Sequence, residues 1–67
     1  MENKVREFRL EKGLTQFELS KISNITQADL SQIERGKIHP YPGWRRRLSK
    51  ALSVKEKYLF PEIYREE

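Results

Sequence analysis

Gln27, Ala28, Ser31 and Gln32 place two amides, a methyl group and a hydroxyl within six residues. If Leu30 and Ile33 point inward from a helix, these four side chains turn outward, and Arg35 follows one turn later. An ordinary solvated helix face favours long charged side chains, and these four include none. Short amides and small groups suit close contact with flat edges rich in hydrogen-bond donors and acceptors. Glutamine pairs with adenine through two hydrogen bonds, and alanine meets the methyl group of thymine. A plain solvated polar face is the competing reading.

The elements that would position this face are helical. Val5 and Phe8, Leu19 and Ile22, and Leu30 and Ile33 each lie three apart, and Trp44, Leu48, Ala51 and Leu52 follow at i, i+4, i+7 and i+8. Val54 to Phe60 forms a short last segment. No stretch alternates as a half-buried strand does, so the expected fold is all-α, a compact bundle of five helices. Gly13 and Gly36 separate helical stretches, His39 to Gly43 is an irregular connector, and Pro61 stops the last helix. Thr15-Gln16-Phe17-Glu18 has capping-box spacing, and Thr26-Gln27-Ala28-Asp29 repeats it with a shorter acid. The two starts lie eleven residues apart, enough for about two helical turns and a tight connector. Within that connector Asn24 is the residue suited to positive φ, and Gly36 is placed to close the third helix. Two short helices joined in this way, the second well capped, describe a helix-turn-helix.

Charge is distributed unevenly. The 67 residues carry a formal net charge of +4. Residues 35–57 hold eight basic side chains (Arg35, Lys37, Arg45, Arg46, Arg47, Lys50, Lys55 and Lys57) against Glu56, while residues 1–34 hold five bases and six acids. Such a block suits a polyanion, nucleic acid ahead of an acidic membrane, or else it is a solvated helix face with an excess of arginine. Other classes fare poorly. There is no cysteine, and His39 is the single histidine, so neither a disulfide framework nor a thiolate metal site is expected, and no cofactor is implied. A Gly-rich phosphate loop and an H-E-x-x-H pattern are absent, which argues against an enzyme. The longest apolar run, Tyr58-Leu59-Phe60, is far short of a membrane span, and no secretory signal is visible, so a cytoplasmic protein is expected.

The run Leu14-Thr15-Gln16-x-Glu18-Leu19-Ser20, then Ile25-Thr26, then Leu30-Ser31-x-Ile33-Glu34-Arg35-Gly36-Lys37 resembles the phage repressor and Cro type of helix-turn-helix, the Xre family. The similarity extends through Arg9-x-x-x-Gly13 upstream and Pro40, Ala51-Leu52 and Leu59-Phe60 downstream, about residues 4–60. The resemblance implies a single domain over 1–67, with 61–67 as a short tail. It also implies a third helix that enters the major groove of double-stranded DNA, a transcriptional repressor, and a homodimer. By position it makes Gln27 the reader of adenine, with Ala28, Ser31 and Gln32 at the other base-facing positions. Gln16 and Lys37 match phosphate-contacting residues; Thr26, Arg35, His39 and Arg45 complete the expected phosphate set. Arg9 and Glu34 match an ion pair linking the first helix to the third.

Some residues depart from the family pattern. Asn24 stands where glycine is usual, Ser53 replaces the common glycine before Val54, and Pro42 points to a late start for the fourth helix with Tyr41 as a poor cap. Trp44 fits the apolar stripe better than a place on a sugar-phosphate chain. Arg45, Arg46 and Arg47 span nearly a turn and cannot all face one ligand. Phe17 and Leu10 fall outside the expected core. Tyr58, Ile63 and Tyr64 exceed what a small core needs and are candidates for a dimer seam. The same aromatic cluster supports the alternative of a protein-interaction module, such as an antitoxin or adaptor. No pocket for a small-molecule effector is expected.

Overall fold

The computed structural model describes residues 2–64. Five helices follow one another: α1 (Val5–Glu11), α2 (Gln16–Ser23), α3 (Gln27–Glu34), α4 (Pro42–Leu52) and α5 (Glu56–Leu59), and no strand occurs among the described residues. The fold is the all-α bundle that the apolar periodicity implies. α4, the longest helix, packs on α1, α2 and α5, while α3 packs on α1 and α2. One core joins them: Val5, Leu19, Ile25, Leu30, Ile33, Leu48, Leu52, Leu59 and Phe60 are buried, with Phe8, Leu14, Ile38, Trp44, Ala51, Val54 and Ile63 packed against it. Trp44 therefore supports the core, with Tyr41 meeting its ring edge-on at 4.9 Å.

Ile22 departs from the expected pattern. It is 57% exposed, and Ser23 is buried in its place. At about 100° per residue, Ser23 lies about 40° from Leu19 around the helix and Ile22 about 60° to the other side. The Ser23 hydroxyl donates to the Leu19 carbonyl at 2.7 Å, so the small residue enters the core without an unmet donor. Leu10 and Phe17 lie outside the core, each 55% exposed, as expected.

Helix ends set the angles between elements. α1, α2, α3 and α4 are each followed by a residue in the left-handed region: Gly13, Asn24, Gly36 and Ser53. After α3, Gly36 N–H donates to the Ile33 carbonyl and Lys37 N–H to the Gln32 carbonyl, the paired bonds of a Schellman motif. After α2 and α4 the chain turns in matching ways. Ile25 N–H donates to the Ser20 carbonyl while the Ser20 hydroxyl donates to the Ile25 carbonyl; Val54 and Ser49 make the same two bonds. At each of these two turns the next residue, Ile25 or Val54, is apolar and reaches the core.

At the N-termini, the Thr15 capping box is complete, with Thr15 Oγ1 accepting from Glu18 N–H at 3.0 Å and Glu18 Oε1 accepting from Thr15 N–H at 2.8 Å. Thr26 makes only the first half, accepting from Asp29 N–H at 3.1 Å, because aspartate is one methylene short of reaching back. α4 begins at Pro42, with Tyr41 as an N-cap that makes no side-chain bond.

Ser53 is an exposed non-glycine residue at φ 56° with no side-chain hydrogen bond to repay that geometry. The left-handed region costs an ordinary L-residue roughly 1–2 kcal/mol, offset in glycine by about 0.5–1 kcal/mol of extra chain entropy. Ser53→Gly is therefore expected to stabilise the fold by about 0.5–1 kcal/mol, and Asn24→Gly to change it little, since asparagine tolerates this region. Urea unfolding midpoints of the two variants measure the difference.

Candidate nucleic-acid interface

α3 is fixed at both ends and along one side. Thr26 caps its start, the Gly36 turn closes its end, and Leu30 and Ile33 are fully buried beneath it. The Asn3 side-chain amide donates to the Ile33 carbonyl at 2.8 Å, satisfying an acceptor at the helix end. The opposite side faces outward. Thr26, Gln27, Ala28 and Arg35 are exposed, and Ser31 and Gln32 are half-buried at the edges of the same face. Lys37 and His39 are exposed beyond the turn. The structure thus brings the four candidate base-facing residues together in one row, with candidate phosphate residues at its ends.

Beneath that row lies an ion pair. Arg9 Nε donates to Glu34 Oε2 at 2.8 Å, and Arg9 Nη2 donates to Oε1 at 3.1 Å. The side chains are 9% and 3% exposed. The Arg9 Nη1 donates to the Leu14 carbonyl at 2.9 Å, and the Gln16 amide donates to Glu34 Oε1 at 3.4 Å. One bidentate contact therefore joins α1 to the C-terminal end of α3, and α2 joins through Gln16. Gln16, expected at a phosphate, is half-buried with its amide on this carboxylate. On α2 the Thr15 backbone N–H, and after it the Thr15 hydroxyl, hold the Glu18 carboxyl below the usual carboxylate range.

Arg45, expected among the phosphate contacts, donates through Nη1 to the Pro40 carbonyl at 2.8 Å, its Nε lies 3.3 Å from the Tyr64 hydroxyl, and Glu56 pairs with it at 3.9 Å. With 13% of its side chain exposed, it braces the connector before α4 against the C-terminal segment. Of the C-terminal candidates for a dimer seam, Ile63 is half-buried and Tyr58 and Tyr64 are exposed. Ile63 packs on the protein's own core, and the Tyr64 hydroxyl donates to Glu56 while Arg45 lies over its ring. Tyr58 remains open, 53% exposed with Lys57 over its ring. Within the expected short tail of 61–67, Ile63 packs on the core and Tyr64 meets Glu56 and Arg45, while Pro61 and Glu62 are exposed; residues 65–67 lie outside the described residues.

Sequence reasoning also missed Arg47. Its Nη1 donates to the Asn24 carbonyl at 3.2 Å and ties α4 to the turn between α2 and α3. The only available signal was the spacing of three arginines around a turn, which shows that they diverge and not where each one goes. Among the described residues, no group of three or more His, Cys, Asp or Glu is arranged to hold a metal, and no helix is long and apolar enough to cross a membrane.

A family model described as helix-turn-helix matches residues 5–59. The chain belongs to that family. The match runs from the first residue of α1 to the last of α5, so it takes in every helix. This is the DNA-binding helix-turn-helix of the Cro type that the sequence resembles, with α2 and α3 as its two helices. No curated protein matches the chain.

In this helix-turn-helix the Arg9–Glu34 pair predicts an asymmetric response to mutation. Arg9→Ala leaves a buried carboxylate unpaired and is expected to cost about 3–5 kcal/mol, enough to unfold most of so small a domain. Replacing both partners by leucine removes the stranded charge and should recover a large part of that loss. Thermal unfolding of the single and double variants tests this; equal losses would contradict it.

Proposed function

We propose that this helix-turn-helix protein is a sequence-specific transcriptional repressor that binds double-stranded DNA as a homodimer and reads the major groove with α3. The observation that carries this reading is the outward row of Gln27, Ala28, Ser31 and Gln32 on a helix capped at both ends. A helix with its side chains is about 10–12 Å across, close to the roughly 12 Å width of the major groove. Gln27 offers a bidentate amide for adenine, and Ala28 a methyl contact for thymine. Ser31 and Gln32 supply further donors and acceptors at the edges of the face.

Thr26, Arg35, Lys37 and His39 flank this row and would contact the sugar-phosphate chain, with Gln16 at the start of α2. Phosphate contacts fix register and supply affinity, while base edges supply discrimination. An eight-residue helix reaches few base pairs. Two copies on inverted half-sites would double the contacts and match the two-fold symmetry of a dimer. Repression follows from occupancy, because a bound dimer excludes other proteins from the same duplex. Neither a cofactor nor an effector enters this mechanism.

Selection from a random duplex library at two salt concentrations tests the reading. A preferred sequence with inverted half-sites and a steep salt dependence is expected. Gln27→Ala should relax preference at one position and cost about 1–3 kcal/mol, whereas Lys37→Ala should weaken all sequences alike. Uniform loss for the Gln27 variant would remove its role as a reader. Retention of a stoichiometric protein partner with no duplex preference would point to the antitoxin or adaptor class instead.

A further inference from the structure

A cleft of about 660 Å³ lies where α1, α2 and α3 meet, lined by Arg6, Arg9, Gln16, Ser31, Glu34 and Arg35. Three arginines and one glutamate line it. Arg9 engages both oxygens of the Glu34 carboxylate, and Gln16 shares one of them. The negative charge of Glu34 is therefore already answered, which leaves the charges of Arg6 and Arg35 unmatched within the cleft. Glu2 lines a separate, smaller cleft with Arg35. Arg35 donates through Nε to the Ser31 carbonyl at 3.4 Å, and the Arg6 side chain makes no hydrogen bond or ion pair among the described residues. Both residues are exposed.

Ser31 belongs both to this cleft and to the base-facing row, so an anion held here would be continuous with a duplex lying against α3. Arg6 precedes Arg9 by three residues on α1, which brings it to the same side of that helix. A planar guanidinium presents paired N–H donors that match two oxygens of a phosphate. We propose that Arg6 is a phosphate-binding residue: Arg6 and Arg35 are the two jaws of a seat for one phosphodiester of the bound DNA, with Gln16 and Ser31 as neutral donors between them. The Arg9–Glu34 pair forms the floor and is not itself a ligand. This inference rests on the DNA-binding reading above and extends the interface to α1, which the sequence alone did not implicate.

The test compares the wild-type chain with Arg6→Ala and Arg6→Lys on the selected duplex, by salt titration and by phosphate-ethylation interference. Arg6 is exposed in the first turn of α1, and alanine favours a helix, so circular dichroism of the variants should match the wild type. Arg6→Ala is expected to lower the magnitude of the salt slope by about one and to abolish interference at a single phosphate per half-site. Arg6→Lys should keep the slope while weakening that one interference position. Competition by inorganic phosphate that weakens duplex binding of the wild-type chain more than that of Arg6→Ala is expected, because the free anion would occupy the same seat as the phosphodiester; equal competition for both chains would overturn the assignment. A smaller slope with an unchanged interference pattern would mean that Arg6 acts only through its long-range field, which also overturns it. Wild-type chain that binds no duplex would defeat the DNA-binding reading itself, and the seat with it.

Discussion

The bidentate contact between Arg9 and Glu34 is the constraint on which the rest of this structure depends. A helix that presents one whole side to a ligand cannot be held from that side. α3 has eight residues, and only Leu30 and Ile33 are buried from it. Two apolar anchors three residues apart resist lifting, but they resist rolling about the helix axis poorly. The carboxylate of Glu34, at the end of α3, is gripped in two directions by a fork on α1 and touched by an amide on α2. Two parallel hydrogen bonds fix an orientation as well as a distance, so the rotation of the outward row is set from below. A leucine pair could fill the same volume, yet it would not carry this angular information.

The small core explains the heavy use of backbone carbonyls as secondary anchors. A chain of 67 residues buries a limited share of its surface, and among the described residues the buried hydrophobic core consists of nine side chains. Polar side chains take over the joining of elements. Asn3 reaches the Ile33 carbonyl, Arg47 the Asn24 carbonyl, Arg45 the Pro40 carbonyl and Arg9 the Leu14 carbonyl. Each accepting carbonyl lies at or near a helix end or turn, where backbone groups lack a helical partner. No buried side-chain nitrogen or oxygen among the described residues is left without a partner. The two serines that close matching turns, Ser20 and Ser49, follow the same logic.

Much of this was legible in the sequence because local rules and the global fold agree. Capping spacing located the starts of α2 and α3, and Gly36 and Asn24 marked left-handed turns. The family resemblance supplied the Arg9–Glu34 pairing, which the residues alone did not reveal. Failures fell where a choice depends on which neighbour lies across the interface. Ile22 and Ser23 both sit within the inward arc of α2, and hydropathy favours isoleucine. The serine is accommodated in the core because its hydroxyl bonds within its own helix. The C-terminal apolar residues were legible only as an excess over what a small core needs; that Ile63 packs on the core and Tyr64 meets Glu56 and Arg45 depends on where the chain runs after α5.

Formal charge and available charge must also be separated. The block from Arg35 to Lys57 suggests a continuous cationic surface, but folding diverts part of it inward. Arg45 and Arg47 direct guanidinium groups at carbonyls, and Arg45 also faces Glu56. The arginines that hold the bundle together are thus distinct from those that can meet a polyanion. Arg35 and Lys37 stay exposed beside the row on α3, and Arg6 joins them from a segment whose net charge is slightly negative. Proximity in the fold, rather than density along the chain, decides which cations act together. A basic block read from sequence is therefore evidence about class of partner, while the cleft where α1, α2 and α3 meet brings Arg6 and Arg35, far apart in the chain, to one place.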